Sequence, residues 1–174
     1  VALLARSSAE IDALAAEIGP QAMALTVDVG DWEAMAAAIA SVEAAFGPVD
    51  VLINNAGVIA PISGLAESTP SAWMEAITIN LGGVYNGMRA VLPAMIARGA
   101  GHVVLTGSLA GYRGLPGAIG YAASKAGVMS LAESMHYDLR KTGVDVQLVN
   151  AGYIRTRLSD KNTIPMPFIM EPDQ

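Results

Sequence analysis

Short, largely apolar runs separated by longer stretches of helical periodicity constrain this chain more than any other feature. Residues 1–5, 22–27, 49–54, 101–106 and 144–150 each read as a strand with little polar alternation. A strand without alternation is covered on both faces, which points to a parallel sheet rather than a half-solvated antiparallel one. Between them lie helical patterns at 8–18, 31–46, 71–98 and 120–142, the first two stopped by Gly19-Pro20 and Gly47-Pro48. Pro93 is expected to bend the third helix near its end. Parallel strands require crossovers, and right-handed crossovers through helices place helices on both faces of the sheet. The predicted class is therefore α/β, a doubly wound parallel sheet, with no repeat, low-complexity tract or internal linker.

In the Rossmann-type version of that layout the first strand is central, and a Gly-rich phosphate loop follows it. Val1 opens inside a strand with no such loop before it, and beyond Thr156 the chain turns loop-like with Pro165, Pro167 and Pro172. If residues 1–5 are the second strand of such a sheet, a gap is left at mid-sheet, with backbone groups of two interior strands unpaired. The expectation is a single Rossmann-type domain over 1–174, incomplete at both ends and part of a longer polypeptide, with 157–174 as a substrate loop or lid.

Composition narrows the function classes. A net charge of −6 argues against a nucleic-acid partner. The apolar runs stop well short of a membrane span, and Arg6 lies on the wrong side for a signal peptide, so neither a membrane nor a secretory role is expected. With no cysteine there is neither a disulfide nor a thiolate metal site, no other metal cluster stands out, and a cytoplasmic location is favoured. His102 and His136 stand apart from any carboxylate cluster and read as surface or packing residues. The nine methionines read as core filler.

Chemistry is concentrated at Tyr121 and Lys125. Residues i and i+4 share one helix face, so phenol and ammonium can point into one cleft. A free tyrosine, with a pKa near ~10, is a poor base at neutral pH; a cation within a few ångströms favours the phenolate. That pair can move a proton on or off an alcohol oxygen. Asp28, Asn54-Asn55-Ala56-Gly57, Asn80, Ser108, Tyr121 with Lys125, and Asn150-Ala151-Gly152 running to Thr156 occur in that order. In this series the chain resembles the short-chain dehydrogenase/reductase family, from the family's second strand to just past its sixth.

The resemblance implies roles. Tyr121 would be the general acid/base, and Lys125 would lower its pKa and hold the nicotinamide ribose. Ser108 would hydrogen-bond the substrate carbonyl, and the Asn80 side chain would hold a water linking Lys125 to solvent. Asp28 and Val29 would meet the adenine, Asn54, Ala56 and Gly57 the adenosine ribose, and Gly152, Ile154 and Thr156 the nicotinamide end. At the end of the first strand an NAD site carries an acidic residue, whereas here Ala5 is followed by Arg6, Ser7 and Ser8. A guanidinium can clasp a 2′-phosphate that a carboxylate would repel, so NADP(H) is preferred over NAD(H).

Two departures from the family pattern are the Ala151-Gly152 pair, where Pro-Gly is usual, and the absent phosphate loop. The first implies a looser loop that still admits the nicotinamide. The second, if the protein were this short, would deny the pyrophosphate its backbone cradle. The substrate pocket is expected between Leu109, Ala110, Tyr112, Leu115, Pro116 and Ile119. Over it would lie an apolar, mobile lid at 158–170, with Ile164, Met166, Pro167, Phe168, Ile169 and Met170. These point to a modest apolar ketone or secondary alcohol as substrate. A homodimer or homotetramer is expected through the two long helices, and a non-catalytic subunit or binding module is the alternative.

Overall fold

The computed structural model describes residues 1–161 and 165–173. Its strands are β1 (Ala2–Ala5), β2 (Met23–Thr26), β3 (Val51–Asn54), β4 (Gly101–Thr106) and β5 (Val144–Val149). The helices are α1 (Ser8–Ile18), α2 (Trp32–Phe46), α3 (Pro70–Ile77), α4 (Gly83–Arg98) and α5 (Ile119–Leu139). The fold is the expected Rossmann-like α/β arrangement, with every strand pair parallel.

Local chemistry sets the helix ends. The Asp31 carboxylate accepts from Ala34 N at 3.1 Å to open α2, and Thr69 Oγ1 accepts from Ala72 N at 3.3 Å to open α3, with Pro70 in its first turn. Gly99 closes α4 in the left-handed conformation at φ 70°. Gly143 has φ 77°, and a methyl built on it would lie 2.0 Å from the Gly99 carbonyl oxygen, so the turns entering β4 and β5 touch where no side chain fits.

The expected single helix over 71–98 is corrected. It is split by a π turn, Thr78–Gly82, in which Gly83 N–H reaches back to Thr78 O. Such a turn fits one extra residue and leaves a carbonyl without a helical N–H facing it; turns of this kind recur at functional sites. The last helix ends at Leu139 rather than at 142.

The sheet falls into two parts, β1-β2 and β3-β4-β5. The gap expected at mid-sheet lies between β1 and β3, where a cleft of about 730 Å³ is lined by Leu4, Ala5, Ile39, Leu52, Ile53 and Asn54. Beside this gap Leu52 packs against the core, while Val51 and Ile53 are 52% and 64% exposed. The two halves are held together by apolar packing of α2 against α4, which brings Ile39 into one cluster with Val84, Met88 and Val91. A side-chain bond from Asn86 Nδ2 to Val29 O, at 2.9 Å, adds a polar tie between the same halves.

Candidate active site

Tyr121 and Lys125 stand one turn apart at the start of α5, with the ammonium 5.8 Å from the phenol ring centre. Tyr121 is half-buried and Lys125 almost wholly buried. Lys125 Nζ donates to Thr106 O, at the end of β4, at 2.6 Å. Burial disfavours the cation and pushes the Lys125 pKa down from 10.5 to about 8.

Beneath this pair lies a buried polar lattice. Asn80, in the π turn, donates through Nδ2 to Val58 O at 2.8 Å and to Ser124 Oγ at 3.0 Å, and its Oδ1 accepts from Val58 N at 2.8 Å. Ser124 Oγ in turn donates to Tyr121 O at 2.7 Å. Asn80 and Ser124 are both fully buried. Both amide hydrogens of Asn80 are thus given to protein acceptors, and Oδ1 takes the Val58 N–H. The side chain staples the 54–58 loop to α5.

Gly57 brings the loop and the pair together: a methyl built there would lie 3.4 Å from Asn80 Oδ1 and 3.9 Å from Lys125 Nζ. Ser108 caps a short 3-10 turn, Leu109–Gly111, its Oγ accepting from Ala110 N at 3.2 Å and so keeping its own hydrogen to donate. That turn lies on α5, since a methyl on Gly111 would come within 3.0 Å of the Lys125 backbone. Asn80, Ser108, Tyr121 and Lys125 thus converge on one end of α5. The expected pocket wall is only partly formed: Leu109 and Tyr112 are exposed, and Asn150 Nδ2 donates to the Tyr112 hydroxyl at 2.9 Å.

The expected dinucleotide residues spread along the strand ends. Asp28 Oδ1 accepts from Gly30 N at 2.9 Å, and Val29 packs against Gly83 at the start of α4. Arg6 Nη1 lies 3.8 Å from Asp28 Oδ2 and 3.6 Å from Glu75 Oε1. Asn54 and Ala56 line the cleft, and Asn54 Nδ2 is buried without a hydrogen-bond partner. A buried donor left open at the end of β3, with the Arg6 cation just after β1, fits a dinucleotide with polar ribose edges and a phosphate. At the far end Gly152 approaches Leu109. Ile154 bridges to Met170, and Thr156 forms a turn in which its N–H donates to Ser159 Oγ at 2.9 Å.

Of the expected lid, Ile164 falls outside the described residues. Phe168 is 95% exposed, and Met170 N donates to Tyr153 O at 2.9 Å, so the end of the segment runs along the 153–155 stretch. Sequence reasoning passed over Ser124, Val58, Asn86, Tyr112 as a partner of Asn150, and Glu75. Ser124 alone carried a signal, as a hydroxyl one turn after Tyr121 on a helix that buries its neighbours.

The sequence matches the short chain dehydrogenase family over residues 1–165. It is 38% identical to an uncharacterized oxidoreductase of Myxococcus xanthus, over 83% of this chain and 57% of that protein. It is 36% identical to the inactive 2-(S)-hydroxypropyl-CoM dehydrogenase 2 of Xanthobacter autotrophicus, over 88% of this chain and 66% of that protein. A metagenomic short-chain oxidoreductase solved in complex with NADP superposes with a TM-score of 0.82 at 38% identity, covering 87% of this chain and 70% of that one. The chain spans about 57 to 66% of the length of these two curated relatives.

Proposed function

Because the chain belongs to the short chain dehydrogenase family, we propose that it serves an NADP(H)-dependent oxidoreductase interconverting a ketone or aldehyde and an alcohol. The observation that carries this reading is the convergence at α5: a half-buried phenol, a buried amine one turn on, and a hydroxyl on the turn packed beside them. Tyr121 gives its proton to the substrate oxygen as negative charge gathers there, and takes it back in the reverse direction. Ser108 retains a free hydroxyl hydrogen, which bonds the same oxygen and fixes its orientation. Lys125 stabilises charge on the phenol oxygen, and with its pKa at about 8 it can hold or release a proton near neutral pH. Asn80 and Ser124 fix the helix that carries both groups.

A bound nicotinamide dinucleotide supplies or accepts the hydride. Asp28 and Val29 would hold its adenine, Asn54, Ala56 and Gly57 the adenosine ribose, and Arg6 the 2′-phosphate. Lys125 would hold the nicotinamide ribose, and Gly152, Ile154 and Thr156 the nicotinamide. The neighbour solved with NADP supports the choice of dinucleotide class. The exposed Leu109 and Tyr112 support a modest apolar substrate, and the exposed Tyr85 and Tyr137 on α4 and α5 leave surface for the second copy of a dimer or tetramer.

The test is fluorescence titration of the purified protein with NADPH and NADH, followed by turnover on a panel of small ketones and secondary alcohols. Tighter NADPH binding with ketone-dependent oxidation is the expected result; binding of neither nucleotide would sink the enzyme reading. A non-catalytic subunit or binding module is the second reading, favoured by the inactive relative at 36% identity. It predicts nucleotide binding without turnover on any member of the panel.

A further inference from the structure

Three charged side chains from three elements meet beyond the ends of β1 and β2. Arg6 follows β1, Asp28 follows β2, and Glu75 projects from α3. The guanidinium stands between two carboxylates, 3.8 Å from Asp28 Oδ2 and 3.6 Å from Glu75 Oε1. Asp28 is pinned, since its other oxygen accepts from Gly30 N at 2.9 Å. Glu75 is the more exposed acid, its side chain 63% accessible against 46% for Asp28. We propose that Glu75 is a specificity-determining residue for the cofactor: it restrains Arg6 and opposes the 2′-phosphate, holding down the preference for NADP(H) over NAD(H). The proposal rests on the assignment of Arg6 to the 2′-phosphate.

The physical reasoning follows from charge. A 2′-phosphate brings roughly −1.5 to −2 charges at neutral pH, by analogy with other phosphate monoesters. Here it would meet one cation already shared between two anions. To bind the phosphate bidentately, Arg6 must turn from Glu75, and the freed carboxylate then stands close to the phosphate as a like charge. An unphosphorylated ribose meets no such opposition. Its 2′-hydroxyl can donate to a carboxylate, the role that Ala5 cannot fill at the end of β1. Glu75 is therefore placed to lower the affinity for one cofactor without lowering that for the other.

The experiment measures dissociation constants of NADPH and NADH by fluorescence for the wild-type protein, Glu75→Gln, Arg6→Ala and the double variant, at low and high salt. Glu75 is a surface residue on a helix, so its amide replacement keeps the fold. Glu75→Gln should tighten NADPH binding about fivefold at low ionic strength and less than about twofold at 0.5 M salt, with NADH unchanged within about twofold. In the Arg6→Ala background the gain should shrink. If Arg6→Ala weakens NADPH selectively while Glu75→Gln changes nothing, Glu75 has no such role and Arg6 keeps its own. If Arg6→Ala leaves the NADPH to NADH ratio unaltered, the 2′-phosphate assignment fails and this inference with it. Absence of binding of either nucleotide by the wild-type protein would overturn both.

Discussion

The two ends of the candidate site are built on opposite principles. At the α5 end, Asn80 and Ser124 are fully buried, Lys125 is 4% exposed, and each has a hydrogen-bond partner. At the end proposed for the ribose, Arg6, Asp28 and Glu75 have half-exposed side chains, and Arg6 stands at ion-pair distances longer than hydrogen bonds. A polar group taken out of water must be satisfied or it costs about 1–3 kcal/mol, so the first end tolerates little change. Exposed ion pairs contribute about 0–1 kcal/mol, so the second can be altered with small effect on the fold. The proposed chemistry lies where substitution is costly, and the proposed cofactor choice where it is cheap.

The sharpest way to break that contrast is at Tyr121. Replacing it with Phe keeps the ring, and so the packing at the start of α5, while removing the hydroxyl. Turnover should fall by about 10²–10⁴-fold, the range for loss of a positioned acid/base, with the NADPH dissociation constant changed by less than about twofold. Steady-state kinetics beside a binding titration separates the two quantities. Retained activity would mean that the substrate oxygen takes its proton from elsewhere, and the buried end would then be merely structural.

A smaller effect tests burial itself. The Lys125 pKa in the folded protein is about 8, below the ordinary 10.5, with burial as the cause. The unfolded chain therefore holds this proton more tightly than the folded one. Below about pH 8 the folded state carries the full cost of a buried cation, and that cost is relieved as pH rises from about 8 toward 10.5. Lys125→Met has no such titration, though it leaves Thr106 O without its donor. Urea unfolding of both proteins should show the wild type gaining about 2–3 kcal/mol relative to the variant between pH 7 and pH 10. A difference that stays constant across that range would place Lys125 in water and erase the contrast between the ends.

How much of this could be read without coordinates follows the same division. The Tyr121–Lys125 pair was legible because helical periodicity alone puts it on one face, and the gap between β1 and β3 was legible from strand order. The π turn was not, because 78–82 contains no proline and its Thr78, Asn80 and Gly82 sit inside one continuous helical pattern. It is seen only with Asn80 bonded to Val58 across the site. Exposure of Val51 and Ile53 beside that gap was equally hidden, since an apolar strand looks the same whatever lies next to it. Glu75 became a neighbour of Arg6 only through the packing of α3, a contact that no local pattern encodes.

The smallest effect is expected where an ion pair links the two halves at the rim. Both terminal guanidinium nitrogens of Arg157, beyond β5, donate to the two carboxylate oxygens of Glu10 in α1. The bond and the charge of Arg157 hold the Glu10 carboxyl below its ordinary pKa, so the contribution of the pair is present above the carboxylate range and lost as pH falls through the lowered value. Yet the Arg157 side chain is 84% exposed, and water and salt screen it. The halves are joined more firmly by Ile39 of α2 in the cluster with Val84, Met88 and Val91 of α4, all buried. Arg157→Ala should therefore leave the urea midpoint at pH 7 unmoved within error, at both 50 mM and 500 mM salt, conditions that vary the screening length several-fold. If that midpoint instead shifted as far as the buried Lys125 substitution moves it with pH, exposed charge would be holding the halves together. The ranking of buried over exposed contacts would then have to be reversed.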